Sequence, residues 1–179
     1  MQTIKIVKIV AVDTAAKTVD VQPLVQQVTP DGSTKDMPVV SAVPYGYEQA
    51  GNCLIQIDPV VGDIGVIGCA DRDIHRVKTA WKAAAPQTLR SHSLTDAIYL
   101  RTLYTGQTAA HTIRVDPANG ITVTSSKTVT VNANVQVNGN ITATGTITGQ
   151  TDVVGDGVSV KGHVHSGVET GSGETGKPV

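Results

Sequence analysis

Phenylalanine is absent from this chain of 179 residues, which holds one Trp and four Tyr. Large rings usually dominate a globular core, so a core here must be built from small and β-branched side chains. Val, Thr, Ala and Gly supply them, a composition that favours repetitive β structure. Neither sign of charge is in surplus: 14 Lys and Arg stand against 15 Asp and Glu. No basic block occurs either, so nucleic acid is not an expected partner. Cysteine is scarce, and Cys53 and Cys69 lack metal-ligand spacing, which reads as two small buried residues. No apolar run approaches the roughly 20 residues of a spanning helix, and no N-terminal signal pattern is visible. The expectation is a protein made and folded in a cytoplasm.

What is present begins with short strands. "TIKIVKIVAV" opens as one, the "DTAAKT" turn leads to "VDVQPLVQQV", and Pro23 interrupts this second strand. In "TPDGS", Pro30 sets φ and Gly32 is free to take a positive φ, the signature of a tight reversal. After a loop from Val43 to Tyr47, "NCLIQI" and "GDIGVIGCA" give two more apolar strands. Four or five short strands with regular turns predict a small barrel of the oligonucleotide/oligosaccharide-binding (OB) kind. The fold implies nothing about a ligand, and the aromatic–basic interleaving that stacks bases is missing. A docking or scaffolding module is expected.

"ADRDIHRVKTAWKAAA" reads as a helix capped by Asp71, with Ile74, Val77 and Trp81 on one stripe and Pro86 ending the segment. His75 and Arg76 read as solvated. No Ser–His–Asp or paired-carboxylate arrangement stands out, and no enzymatic activity is expected.

The most informative pattern runs from Ile121 to Gln150. Every even position is polar and uncharged, whereas the odd positions carry Val, Ile, Ala and glycines, broken only by Ser125 and Lys127. Period-2 patterning of this length is a strong strand signal. One continuous strand would span roughly 100 Å, so the stretch must form several short strands bent at glycines. Their apolar face has no second sheet in the chain to cover it. Three identical copies winding around one axis would bury that face and close the strand edges. A thin core of that kind has no room for rings. A single-chain solenoid would show a repeat of fixed length, and none is found.

Near the end, His163 and His165 straddle Val164. In an extended strand such residues share one face. Two imidazoles fall short of the three or more protein ligands that a metal usually requires. The spacing from Gly157 through His163-x-His165 and Glu169 to Gly176 resembles the first metal-binding motif of cupins. Cupins bring a further histidine from a later strand, whereas His75, His92 and His111 all lie upstream, so that reading fails. A trimer supplies the missing ligands instead, because three copies of the pair offer six nitrogens, a complete octahedral shell. Glu169 is the nearby carboxylate that would compete with this account. If Val158 and Val160 face the axis, strict alternation sends the histidines outward, so either Gly162 resets the register as a bulge or Ser159 and Lys161 lie inward near the tip.

Two motifs carry a family resemblance. "VGDIGVIGCADRDIHRVK" and then "RSHSLTDAIYL" resemble the N-terminal region of bacteriophage baseplate spike proteins, through Gly62, Asp63, Asp71, Arg72, Asp73, Arg90, His92, Ser93, Asp96 and Ala97. These residues are expected to tie the barrel to the rest of the chain. The terminal His-x-His resembles the tip of the same family, where the equivalent pair binds iron.

Residues and resemblance together predict an all-β protein with an N-terminal OB-fold-like barrel, a short linking helix, and an intertwined trimeric β-helix ending in a metal-bound tip. The expected divisions are a barrel with terminal helix at 1–82, a linker at 83–118, the β-helix at 119–161, and the tip and tail at 162–179. The resemblance implies a homotrimer in the virion, at the tip of the tail baseplate. It would dock on a hub protein, carry one iron ion per trimer on His163 and His165, and pierce the bacterial outer membrane. The alternative is a trimeric tail fibre that recognises a surface glycan, which would normally expose aromatic or charged side chains.

Overall fold

The computed structural model describes residues 4–167 and 171–172. Glu169 and Gly176 therefore lie outside the described residues. The chain divides into two compact units, Met1–Ser126 and Lys127–Val179.

The first unit is built on a sheet of five strands. In chain order its elements begin with β1 (Ile4–Asp13), β2 (Thr18–Pro23), β3 (Gln27–Val28), β4 (Thr34–Lys35), β5 (Val40–Pro44), β6 (Glu48–Ala50), β7 (Cys53–Ile55) and β8 (Ile64–Cys69). After them come helix α1 (His75–Ala80), a single 3-10 turn (Leu94–Asp96), and strands β9 (Ala97–Tyr104), β10 (His111–Asp116) and β11 (Gly120–Ser125). The sheet runs β5-β2-β1-β8-β9, and a parallel bridge between Tyr45 and Tyr99 draws its two edges together. The result is a barrel with no long open edge. Alternation along the strands places Val7, Ile9, Val19, Val21, Val43 and Ile67 in the core with essentially no exposure. Val and Ile fill this narrow interior, with the buried rings of Tyr45 and Tyr99 and the partly buried Tyr47 packed against them.

Local chemistry sets the turns. Asp13 Oδ1 accepts the Ala15 and Ala16 amides at 3.0 and 2.9 Å, which closes the β1–β2 turn. The reversal expected at "TPDGS" is present: Thr29 N donates to Ser33 O, and Gly32 has φ +82°. Close packing sets one glycine. A Cβ at Gly65 would overlap the Tyr99 ring on the neighbouring strand. Gly65→Ala is therefore expected to cost about 1–3 kcal/mol through overpacking. Gly46→Ala, with nothing within 4 Å of its added carbon, should leave the urea midpoint of unfolding nearly unchanged.

Several expectations change at the barrel's end. The helix spans only His75–Ala80 and buries none of its residues. Asp73, rather than Asp71, accepts a first-turn amide, that of His75 at 2.9 Å. Trp81 turns into the left-handed region at φ 49° and stays 71% exposed, so no apolar stripe forms. Strand β9 falls in the stretch expected to be a linker, yet it completes the sheet by pairing with β8. Its Ala97 and Tyr99 enter the core. Cys53 is exposed and Cys69 half-buried, so only the second approaches the expected burial.

Strands β10 and β11 form a separate two-stranded hairpin. Its pairs Ile113↔Val123 and Val115↔Ile121 share one face, while Thr112↔Thr124 and Arg114↔Thr122 share the other. All four apolar residues are exposed, Ile113 by 76%. An isolated hairpin is marginal in water, so this face calls for cover.

In the second unit no strand forms between Ser126 and Val153. The odd-numbered Val129, Val131, Val135, Val137, Ile141 and Ile147 are exposed throughout. Beyond them lies a small hairpin, β12 (Val154–Gly155) with β13 (Val158–Ser159).

Candidate metal centre

The two histidines sit beyond this hairpin, and the residues before them build their support. Asp156 and Gly157 link the strands with φ of 48° and 78°. Positive φ at both central residues marks a type I′ turn, for which Asp-Gly is a favoured pair. Val160 N donates to Val153 O at 2.8 Å and lengthens the hairpin by one step. Its base is closed by Asp152, whose Oδ1 accepts the Val153 and Lys161 amides at 2.8 and 3.2 Å. The Ser159 hydroxyl also hydrogen-bonds this carboxylate, and together with the Lys161 amide it holds the Asp152 pKa below the ordinary value.

After Ser159 the chain turns. Gly162 N donates to Ser159 Oγ at 2.7 Å, and His163 N donates to Ser159 O at 3.1 Å. Strand β13 has already ended at this turn. His163 Nδ1 then lies 2.9 Å from Ser159 O and 3.2 Å from Val160 O. A carbonyl can only accept, so Nδ1 carries a proton, which in the neutral imidazole leaves the lone pair on Nε2. The His163 and His165 rings are neighbours, with centroids 5.1 Å apart and planes at 79°.

The two candidate ligands are thus brought together, both exposed. Among the described residues no group of three or more His, Cys, Asp or Glu is placed to hold a metal ion. The tip brings two imidazoles together, a donor type suited to borderline transition metals. The remaining histidines belong to the first unit. His75 is exposed on α1, and His111 Nδ1 lies 2.9 Å from Ser125 Oγ. His92 adopts φ 50°, with its Nδ1 buried and lacking a hydrogen-bond partner.

Two further clusters belong to the barrel. In the first, Arg90 spans two buried carboxylates, with Nε 2.6 Å from Asp96 Oδ2 and Nη2 2.8 Å from Asp73 Oδ1. Asp96 Oδ1 also accepts the Ile74 amide at 3.1 Å, and Asp73 Oδ2 takes the Thr88 amide and hydroxyl at 3.0 and 2.8 Å. All three charged residues belong to the motif that carries the family resemblance, but their pairing comes from the fold. In the second, a cavity of about 460 Å³ is lined by Tyr45, Tyr47, Asp58, Tyr99 and Arg101 among others. Both Tyr45 and Tyr47 donate their hydroxyls to Asp58 Oδ1. Burial first, then hydrogen bonding with Tyr47 and with Asp58, pushes the Tyr45 phenol well above its usual range. These tyrosines therefore stay protonated and act as a clamp on the loop before β8.

Comparison with known families locates both ends of this architecture. A family model described as the phage protein Gp138 N-terminal domain matches residues 7–101, which cover the barrel strands and the Asp73–Arg90–Asp96 cluster. A second, described as the GpV apex motif, matches residues 157–179 and takes in both histidines. No curated protein matches the chain. The first match alone spans more than half of the sequence, and the chain belongs to this family of phage baseplate spike proteins, structural components of the virion's tail.

Proposed function

We propose that the protein is the central spike of a contractile tail, a non-enzymatic homotrimer that pierces the bacterial outer membrane during infection. The observation that carries this reading is the uncovered apolar face. Ile113, Val115, Ile121 and Val123 line one side of a two-stranded hairpin, and Val129 to Ile147 repeat the pattern with no cover among the described residues. A large exposed apolar surface on a soluble chain marks an interface. Three copies wound around an axis supply cover and close the strand edges at once. The five-strand barrel, closed by the parallel bridge from Tyr45 to Tyr99, supports an OB-like docking module for a baseplate hub. Its tyrosine hydroxyls and ion pairs are engaged in internal clamps, which suits a scaffold.

At the pointed end, His163 and His165 from three chains would hold one iron ion with six imidazole nitrogens. When bound, the metal would supply cross-links between chains where the spike meets its target. The residues present fit that role: both rings are exposed and adjacent, and the carbonyl beneath His163 Nδ1 leaves Nε2 as the ligand nitrogen of the neutral ring. Native mass and metal analysis of the purified protein test the reading together. The expected result is a trimer with about one transition-metal ion per three chains. A stable folded monomer, or one metal ion per chain, would refute it.

A further inference from the structure

We propose that Ser159 and Asp152 are positioning residues for His163, fixing which of its ring nitrogens faces the tip. The inference rests on the metal-tip reading, but the geometry of one chain carries it. Three contacts converge on the turn that holds His163. Ser159 Oγ accepts the Gly162 amide at 2.7 Å, Ser159 O accepts the His163 amide at 3.1 Å, and the same carbonyl lies 2.9 Å from His163 Nδ1. The first contact closes the turn, and the closed turn brings the carbonyl under the ring. Asp152 holds the segment from the other side, through the Lys161 amide at 3.2 Å and the Ser159 hydroxyl. The hydroxyl is thus a hinge pin, donating to Asp152 and accepting from Gly162.

The chemical consequence is a choice of tautomer. A neutral imidazole in water carries its proton on either nitrogen, and a metal ligand must present the bare one. A carbonyl beneath Nδ1 stabilises the Nδ1–H form, orients the ring and raises the basicity of Nε2. Outer partners of this kind are worth about 10–100-fold in metal affinity. The effect is repeated in every chain that contributes a His163. The role is assigned at His163 alone, where backbone carbonyls meet the ring nitrogen.

The experiment uses the full chain labelled with ¹⁵N-histidine. In metal-stripped wild-type protein at a pH where the imidazoles are neutral, the His163 nitrogens should report one tautomer, protonated at Nδ1. Ser159→Ala and Asp152→Ala should shift that signal toward a tautomer mixture. In the metal-loaded protein the same variants should lose iron to a chelator about 10–100-fold faster. Ser159→Thr, which keeps the hydroxyl, should restore both readouts, and sedimentation should show the trimer intact in all four proteins. A tautomer mixture already present in the wild type would overturn the proposal, as would Ser159→Ala leaving tautomer and metal loss unchanged. A wild-type protein that binds no metal yet shows the single tautomer, lost in Ser159→Ala, overturns the metal reading and leaves the positioning of His163 standing.

Discussion

Asp96→Ala is expected to destabilise the N-terminal barrel by about 3 kcal/mol at neutral pH. Asp96 has no measurable exposure and accepts three hydrogen bonds, two from Arg90 at 2.6 and 2.9 Å and one from the Ile74 amide at 3.1 Å. Removing one partner of a buried ion pair typically costs about 3–5 kcal/mol, because the other charge is left buried without compensation. The lower end applies, since the Arg90 side chain remains 37% exposed and can recover some water. The Ile74 amide loses its acceptor as well, and that amide leads into α1. Urea unfolding, tracked by the near-ultraviolet signal of the tyrosines, measures the loss.

The same variant has a pH signature. Arg90 hydrogen bonds, ahead of other causes, hold the Asp96 carboxyl below its ordinary value of 3.8, and the His75 amide, ahead of Thr88 and Arg90, does so for Asp73. A carboxyl whose pKa is depressed by folding contributes its full stability above the ordinary value. That contribution is lost as pH falls through the lower folded value. The wild-type barrel should therefore weaken below about pH 4, and the gap between wild type and Asp96→Ala should narrow there. An equal gap at pH 7 and pH 3 would mean that volume, not charge, accounts for the cost.

This cluster also marks the boundary of what a sequence can reveal. Local features are legible, because a turn is specified by its own residues. Gly32 takes its positive φ, and β1, β2 and β8 fall on stretches expected to be strands, whereas β5 (Val40–Pro44) runs into the stretch expected to be a loop. Asp156-Gly157 is equally local, a dipeptide that signals a two-residue hairpin, although the histidines it supports are the more conspicuous feature. The ion pairs are a different matter. Arg90 is 17 residues from Asp73, and nothing in spacing links a carboxylate to a guanidinium over such a distance. The helix is shorter than its periodicity suggests for the same reason. Thr88 and Arg90 return to Asp73 and draw the chain away from helical continuation, which periodicity alone cannot register. Strand β9 is hidden because its partner β8 lies across that whole excursion. The repetitive stretch after Ser126 raises the opposite problem. Its alternation is plain in the sequence, yet one chain forms no strand between Ser126 and Val153.

That face supports the last expectation, Val135→Asp. In the single chain Val135 is 69% exposed, so a carboxylate there should be harmless if one chain were the working form. In a three-chain spindle the same position is buried, and the substitution places three like charges around one axis. Each would lose its water without a counter-ion, a penalty on the order of several kcal/mol per charge before repulsion is added. The expected outcome is loss of the trimer at micromolar concentration in sedimentation. The N-terminal barrel should stay folded, since its Val and Ile core is complete within the first unit. Gln136→Asp is the matched control, placing the same charge on the polar face one residue away, and it should sediment as the wild type does. If Val135→Asp remains as tightly trimeric as the wild type, the odd-numbered face is not the interface, and the intertwined spike must be abandoned.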